Sequence, residues 1–233
     1  MATPEGDVVD QEIVPQIRIA SSISPNLQQQ LSAIQRLARQ VFEPDIPASQ
    51  YDICPTVAPQ LQLDNWNTRL RDMDSAILYV TIENFTSSFN NGLDELDDDH
   101  DLCLASMQRT VDAIEEQYVA FFFVHPRVLP DAVATSILES YLNQQKESYH
   151  IYLAAVRPDT RGRGLFQLLL DTTIVKARLC KYKVLTISTI PEKFPRMYDI
   201  LSSRGTGWQV VERKRVVNND GEVETKVLLM MKL

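Results

Sequence analysis

Apolar and polar positions along the chain change period several times, and each change marks an element. Gln16–Ser21 alternates and predicts a short strand. Leu27–Phe42 then places Leu31, Ile34, Leu37, Ala38 and Val41 on one helical face, with Pro25 at the position of a first turn. Glu43–Leu61 carries four prolines and predicts a long broken segment. A short helix at Leu63–Arg71 and a strand at Ser75–Ile82 follow. Asn84–Asp101 is polar and acidic, as expected of a surface insertion, and a helix is expected at Leu104–Gln117. Tyr118–Val124 (YVAFFFV) has the aromatic and β-branched content of a buried strand, and Pro130–Gln145 predicts a helix.

From Tyr149 the rhythm is regular. Strand Tyr149–Val156, helix Gly164–Lys181, strand Val184–Ile190 and helix Phe194–Ser203 lead to two strands, Trp208–Val217 and Thr225–Leu233, around the turn Asn218-Asn-Asp-Gly221. That order predicts an α/β (α+β) protein with a mixed sheet flanked by helices on both faces. Residues 1–12 are expected to form a loose tail, and 13–233 a single domain with insertions near 84–117 and 130–147.

The 233 residues are 44% hydrophobic and 23% charged, an ordinary globular composition that excludes fibrous and disordered classes. No run approaches about 18 apolar residues, and the start lacks a secretory pattern, so no membrane span and a cytoplasmic or nuclear location are expected. Cys54, Cys103 and Cys180 are widely separated, which predicts reduced thiols and no zinc ribbon. His100 among Asp97–Asp101 lacks the alternating ligands and glycine of a calcium loop, so no metal is expected. The net charge of −8 is unevenly spread, with −12 over residues 1–101 and +4 over the rest. Without a strongly basic, aromatic-interleaved region, nucleic acid is not an expected partner. Residues 157–183 nevertheless hold seven Arg or Lys against two Asp, which suits a small polyanion.

Chemistry concentrates at Val156-Arg-Pro-Asp-Thr-Arg-Gly-Arg-Gly-Leu-Phe166. A strand ends before Pro158, two glycines permit a tight turn, and a helix begins at once. Exposed N–H groups at a helix start, flanked by Arg161 and Arg163, make a site for a pyrophosphate. No Lys-Ser or Lys-Thr follows Gly164, as a Walker loop requires, and Gln167 stands where a Rossmann fingerprint has its third glycine. As a bare tetrapeptide, RGRG also fits a simple cationic turn.

The remaining pattern, [QR]xxGx[GA] after a V-x-P strand end, resembles the coenzyme A loop of the GNAT N-acetyltransferase superfamily. The resemblance covers residues 148–210 by element order, and the helix at 27–42 and strands at 75–82 and 118–124 fit the family's first half. It implies a mostly antiparallel GNAT-like sheet, acetyl-CoA as co-substrate, and an N-acetyltransferase acting on a primary amine. Val156 would offer backbone groups to the pantetheine arm and the thioester carbonyl, with Ala155 beside it in the cofactor site. Arg161, Gly162, Arg163, Gly164 and Leu165 would wrap the pyrophosphate, while Ser188 and Thr189 would lie on the splayed partner strand. Phe166 departs from the small residue that ends the motif. The family often uses a Tyr as acid, but Leu201 stands there if Gly205 matches the motif's glycine, so Tyr198, one turn earlier, is the candidate acid, the alternative being that it packs on the core and a bound water serves. Glu83, after a strand near the acceptor side, is the candidate base, and His150 was weighed beside it. Trp66 and Tyr51 fall where relatives build the acceptor pocket, and either lines it or anchors a loop. The acidic first part favours a cationic small amine as acceptor for a monomer or homodimer. A protein N-terminal or lysine acetyltransferase and a non-catalytic acyl-CoA-binding module are the alternatives.

Overall fold

The computed structural model describes residues 15–51, 58–82, 118–128, 147–203, 205–217 and 221–233. The tail, the Asp-rich run with His100, Glu83, Cys54, Cys103, both insertion helices and most of the turn before Gly221 lie outside these residues.

Seven strands form one sheet: β1 (Pro15–Ala20), β2 (Ala76–Ile82), β3 (Tyr118–Val128), β4 (Glu147–Val156), β5 (Val184–Thr189), β6 (Trp208–Val217) and β7 (Val223–Lys232). Their order is β1-β2-β3-β4-β5-β7-β6, and every neighbouring pair is antiparallel except β4–β5. The helices are α1 (Leu27–Phe42), α2 (Leu63–Leu70), α3 (Leu165–Leu179) and α4 (Pro195–Ser202). Pro25 stands outside the first turn of α1, and Asn26, with φ 56°, is the cap.

Alternation along β2, β3 and β4 divides the core between the two faces. Ile77, Tyr79, Phe121, Phe123 and Leu153 pack beneath α1 and α2, while Leu78, Val80, Phe122, Val124 and Ile151 pack beneath α3 and Leu201 of α4. Trp66 of α2 is fully buried against Phe121 and Phe123, its ring nitrogen donating to Gln60 O at 2.7 Å. The proline-rich segment after α1 is anchored by a buried ion pair. Arg39 Nε donates to Glu43 Oε2 at 2.7 Å and Arg39 Nη1 to Tyr51 O at 2.7 Å, while Glu43 Oε1 accepts from Ala58 N. Trp66 and Tyr51 therefore anchor the α1–α2 connection from within the core, one of the two roles the sequence leaves open for them.

β3 continues past its apolar run through His125, Pro126 and Arg127 to Val128, four residues further than the sequence pattern indicates. The polar side chains and the proline conceal this extension, although Phe121, Phe123, His125 and Arg127 keep the alternation.

Candidate active site

The site originates in a defect of the sheet. Pairing between β3 and β4 steps from Phe123↔Leu153 to Val124↔Ile151, so Tyr152 is an extra residue, a bulge in β4. A bulge bends and twists its strand. β5 pairs with β4 only at Tyr149–Ile151, then continues beside β7 as far as Thr189. The two central strands thus splay beyond the bulge.

The splay leaves backbone groups open. Arg157 N donates to Val119 O at 2.8 Å, which makes 119/157 a hydrogen-bonded pair and places Val156 and Ala154 at alternate positions facing away from β3. Arg161 Nε reaches Val156 O at 3.3 Å from that open side. The open backbone belongs to Ala154 and Val156, so Ala155, whose backbone faces β3, contributes its small side chain instead. Ala154, a position the sequence pattern did not single out, thus joins Ala155 and Val156 in lining the cleft.

Pro158–Thr160 forms a single tight turn, fixed by the Thr160 hydroxyl donating to Arg157 O at 3.0 Å. Gly162 and Gly164 have φ of 82° and 75°, a left-handed conformation that favours glycine, and Gly164 caps α3. The α3 ladder starts with Leu168 N donating to Gly164 O, so the N–H groups of Leu165, Phe166 and Gln167 have no acceptor within the helix. Lys176 and Arg178 in the last turn complement the helix dipole. Phe166 turns its ring inward, edge-on to Phe122 with centroids 5.0 Å apart, so the departure from the small-residue motif is absorbed by the core.

These parts line a cleft of about 690 Å³. One wall is Ala154–Val156 with Thr160–Gly162 and Gly164–Gln167, and the other is Lys193–Met197 and Ile200 around α4; Arg163 does not line it. Val41 at the end of α1 lines it too, and Phe42 meets Phe194 edge-on at 5.7 Å. Lys193 also bridges to Glu224 at 2.7 Å.

Other sequence candidates fall elsewhere. Tyr198 does not line the cleft; its hydroxyl accepts from Arg213 Nη2 at 2.8 Å on β6. Ser188 and Thr189 sit at the end of β5 beside the splay and outside the cleft lining, with the buried Thr189 hydroxyl lacking a hydrogen-bond partner. Leu201 is buried in the core. His150 is buried in mid-sheet, and desolvation, followed by the Arg127 charge, pushes its pKa well down, so it is neutral.

Neither a family model nor a curated protein matches the sequence. Solved structures do match. The structure of Arabidopsis thaliana NAA60 in complex with acetyl-CoA aligns with a TM-score of 0.56 at 11% identity, over 94% of this chain and 99% of that one. A putative acetyltransferase of the GNAT family from Desulfovibrio desulfuricans aligns with a TM-score of 0.51 at 12% identity, over 94% and 99%. The ribosomal-protein-alanine N-acetyltransferase from Brucella melitensis gives 0.51 at 16% identity, over the same shares. At these identities the likeness defines the fold: the chain has the GNAT acetyltransferase fold.

Proposed function

We propose that the protein is an acetyl-CoA-dependent N-acetyltransferase that acetylates the primary amine of a small molecule. The observation that carries this reading is the junction of two features in one cleft. The cap of α3 presents N–H donors and left-handed glycines where a diphosphate would lie, and Ala154 and Val156 present open backbone where a pantetheine arm would run. An added Cβ at Gly162 or Gly164 would meet no protein atom within 4 Å, so the space over the loop is open to a ligand.

Bound acetyl-CoA supplies a thioester that an amine attacks directly, releasing the thiol. The chain's own groups do the rest. N–H groups from Gly162 to Gln167, with the charges of Arg161 and Arg163, hold the diphosphate. The Ala154 and Val156 N–H groups supply donors for a pantetheine carbonyl and for the oxyanion that forms on attack. Apolar side chains of Phe194, Met197 and Ile200 keep the arm's path dry. Tyr198 faces Arg213, so proton transfer to the leaving thiolate is assigned to solvent, in keeping with a thiol reference pKa near ~8.5.

The likeness to a ribosomal-protein-alanine N-acetyltransferase favours a second reading, in which the acceptor is an amine of a protein. Thiol release from acetyl-CoA, measured with a panel of small amines and of peptides, separates the two. Release with small amines alone supports the first reading, release with peptides alone the second, and tight binding without release a sensor.

A further inference from the structure

Where β4 bulges, the sheet face beneath α1 and α2 carries an unusual set of cations. Arg69 of α2 donates through Nη1 to His125 Nε2 at 3.3 Å, and its guanidinium lies 4.1 Å from the centroid of the Tyr152 ring. Arg127 donates through Nη1 to His150 Nε2 at 3.3 Å. Because a guanidinium only donates, both imidazoles accept at Nε2 and carry their protons on Nδ1. His125 Nδ1 donates to Pro126 O at 2.6 Å. His150 Nδ1 donates to Thr186 Oγ1 at 2.9 Å, Thr186 to Ser148 Oγ at 3.0 Å, and Ser148 to Arg127 O at 3.2 Å. The two rings meet edge-on, 5.6 Å between centroids.

Each half-buried arginine is therefore seated on a neutral imidazole rather than on a carboxylate. Among the described residues, no ion pair joins Arg69, Arg127 or Lys226 to an acid. Glu212 and Asp72 are the acids near enough to be felt. Arg127, Lys226 and Arg69 all lower the proton affinity of His150, which marks a positive potential inside the sheet. A guanidinium has five N–H donors, and its strongest complement is a carboxylate or phosphate taken bidentately.

We propose that Arg69 and Arg127 form an oxyanion site for the acceptor, so the substrate is an amine that also carries a carboxylate or phosphate group. The proposal deepens the acetyltransferase reading and rests on it. It also reverses the cationic acceptor suggested by the acidic first part of the chain. Tyr152, under Arg69, is two residues along β4 from Ala154, which lines the cleft, at most about 7 Å at ~3.3 Å per residue. Amine and anion are thus separated by several bonds, as in a lysine-sized ω-amino acid.

Two measurements test this. Thiol release is followed with ε-aminocaproate and with n-hexylamine, which lacks the carboxylate. Charge-assisted hydrogen bonds predict a preference in kcat/KM for ε-aminocaproate of about tenfold or more, and its collapse toward parity in Arg69→Gln and Arg127→Gln through a higher KM. Equal use of the two amines by the unaltered protein overturns the proposal, as does a loss in the variants that is the same for both amines. Independently of any turnover, inorganic phosphate is titrated while the imidazole resonances of His125 and His150 are observed by NMR. Saturable shifts that vanish in either folded variant support the site, and unmoved resonances overturn it. Acetyl-CoA affinity is measured separately by calorimetry, so failure of the acetyltransferase reading is distinguishable from failure of the oxyanion site.

Discussion

Phe166→Ala separates two roles for the residue that departs most from the coenzyme A loop motif. The ring packs edge-on against Phe122, 5.0 Å between centroids, and Phe166 is partly buried against the α3 side of the core. Complete removal of a buried phenyl ring costs about 3–5 kcal/mol. Partial burial scales this to about 2 kcal/mol, of which the edge-on pair accounts for ~0.5–1.5 kcal/mol. For a chain of this size the loss lowers Tm by about 4–8 °C, measurable by calorimetry or circular dichroism. The ring packs inward on Phe122, so acetyl-CoA Kd by titration should change by less than about threefold, under ~0.7 kcal/mol. Unchanged stability together with affinity raised tenfold or more, ~1.4 kcal/mol, would refute this account, because the ring would then be screening the phosphate cradle.

Three further outcomes follow from other parts of the molecule. Burial lowers the pKa values of His125 and His150, so the unfolded chain takes up more protons; stability is full above the unfolded value near ~6.5 and falls as pH drops below it, by up to ~1.4 kcal/mol per pH unit for each histidine. Urea unfolding across that range should show the slope, and His150→Gln should reduce it; a flat profile contradicts buried neutral imidazoles. Arg39→Leu strands the Glu43 carboxylate in the core and should cost about 3–5 kcal/mol in urea unfolding, whereas a loss below ~1 kcal/mol would show the pair to be dispensable. Tyr198→Phe should leave kcat within about twofold, since the hydroxyl faces Arg213, and a large fall in kcat at constant KM would instead restore Tyr198 as the acid.

Much of the architecture is legible in local pattern, because alternation, helical period and glycine placement are local properties. The glycine loop before α3 is the clearest case: Pro158 ends the pairing, Gly162 and Gly164 take positive φ, and α3 starts at Leu165. The bulge at Tyr152 is not legible, since the register shift belongs to two strands together and leaves no mark on either alone. The extension of β3 was hidden by Pro126, and with it the pairing of His125 and His150 across strands. Tyr198 fails for a helical reason. Met197 and Ile200 face the cleft, and the next position around the helix from each turns toward β6 or the core.

The central claim is that the α3 cap and the splayed edge of β4 bind acetyl-CoA. Calorimetric titration of the purified protein, beside Gly164→Glu, tests it most directly. Gly164→Glu puts a carboxylate on the cap in a backbone conformation that costs an L-residue about 1–2 kcal/mol. The account predicts saturable one-to-one binding by the unaltered protein and its loss in the folded variant. Absence of binding at millimolar acetyl-CoA, or equal binding by both proteins, would contradict it.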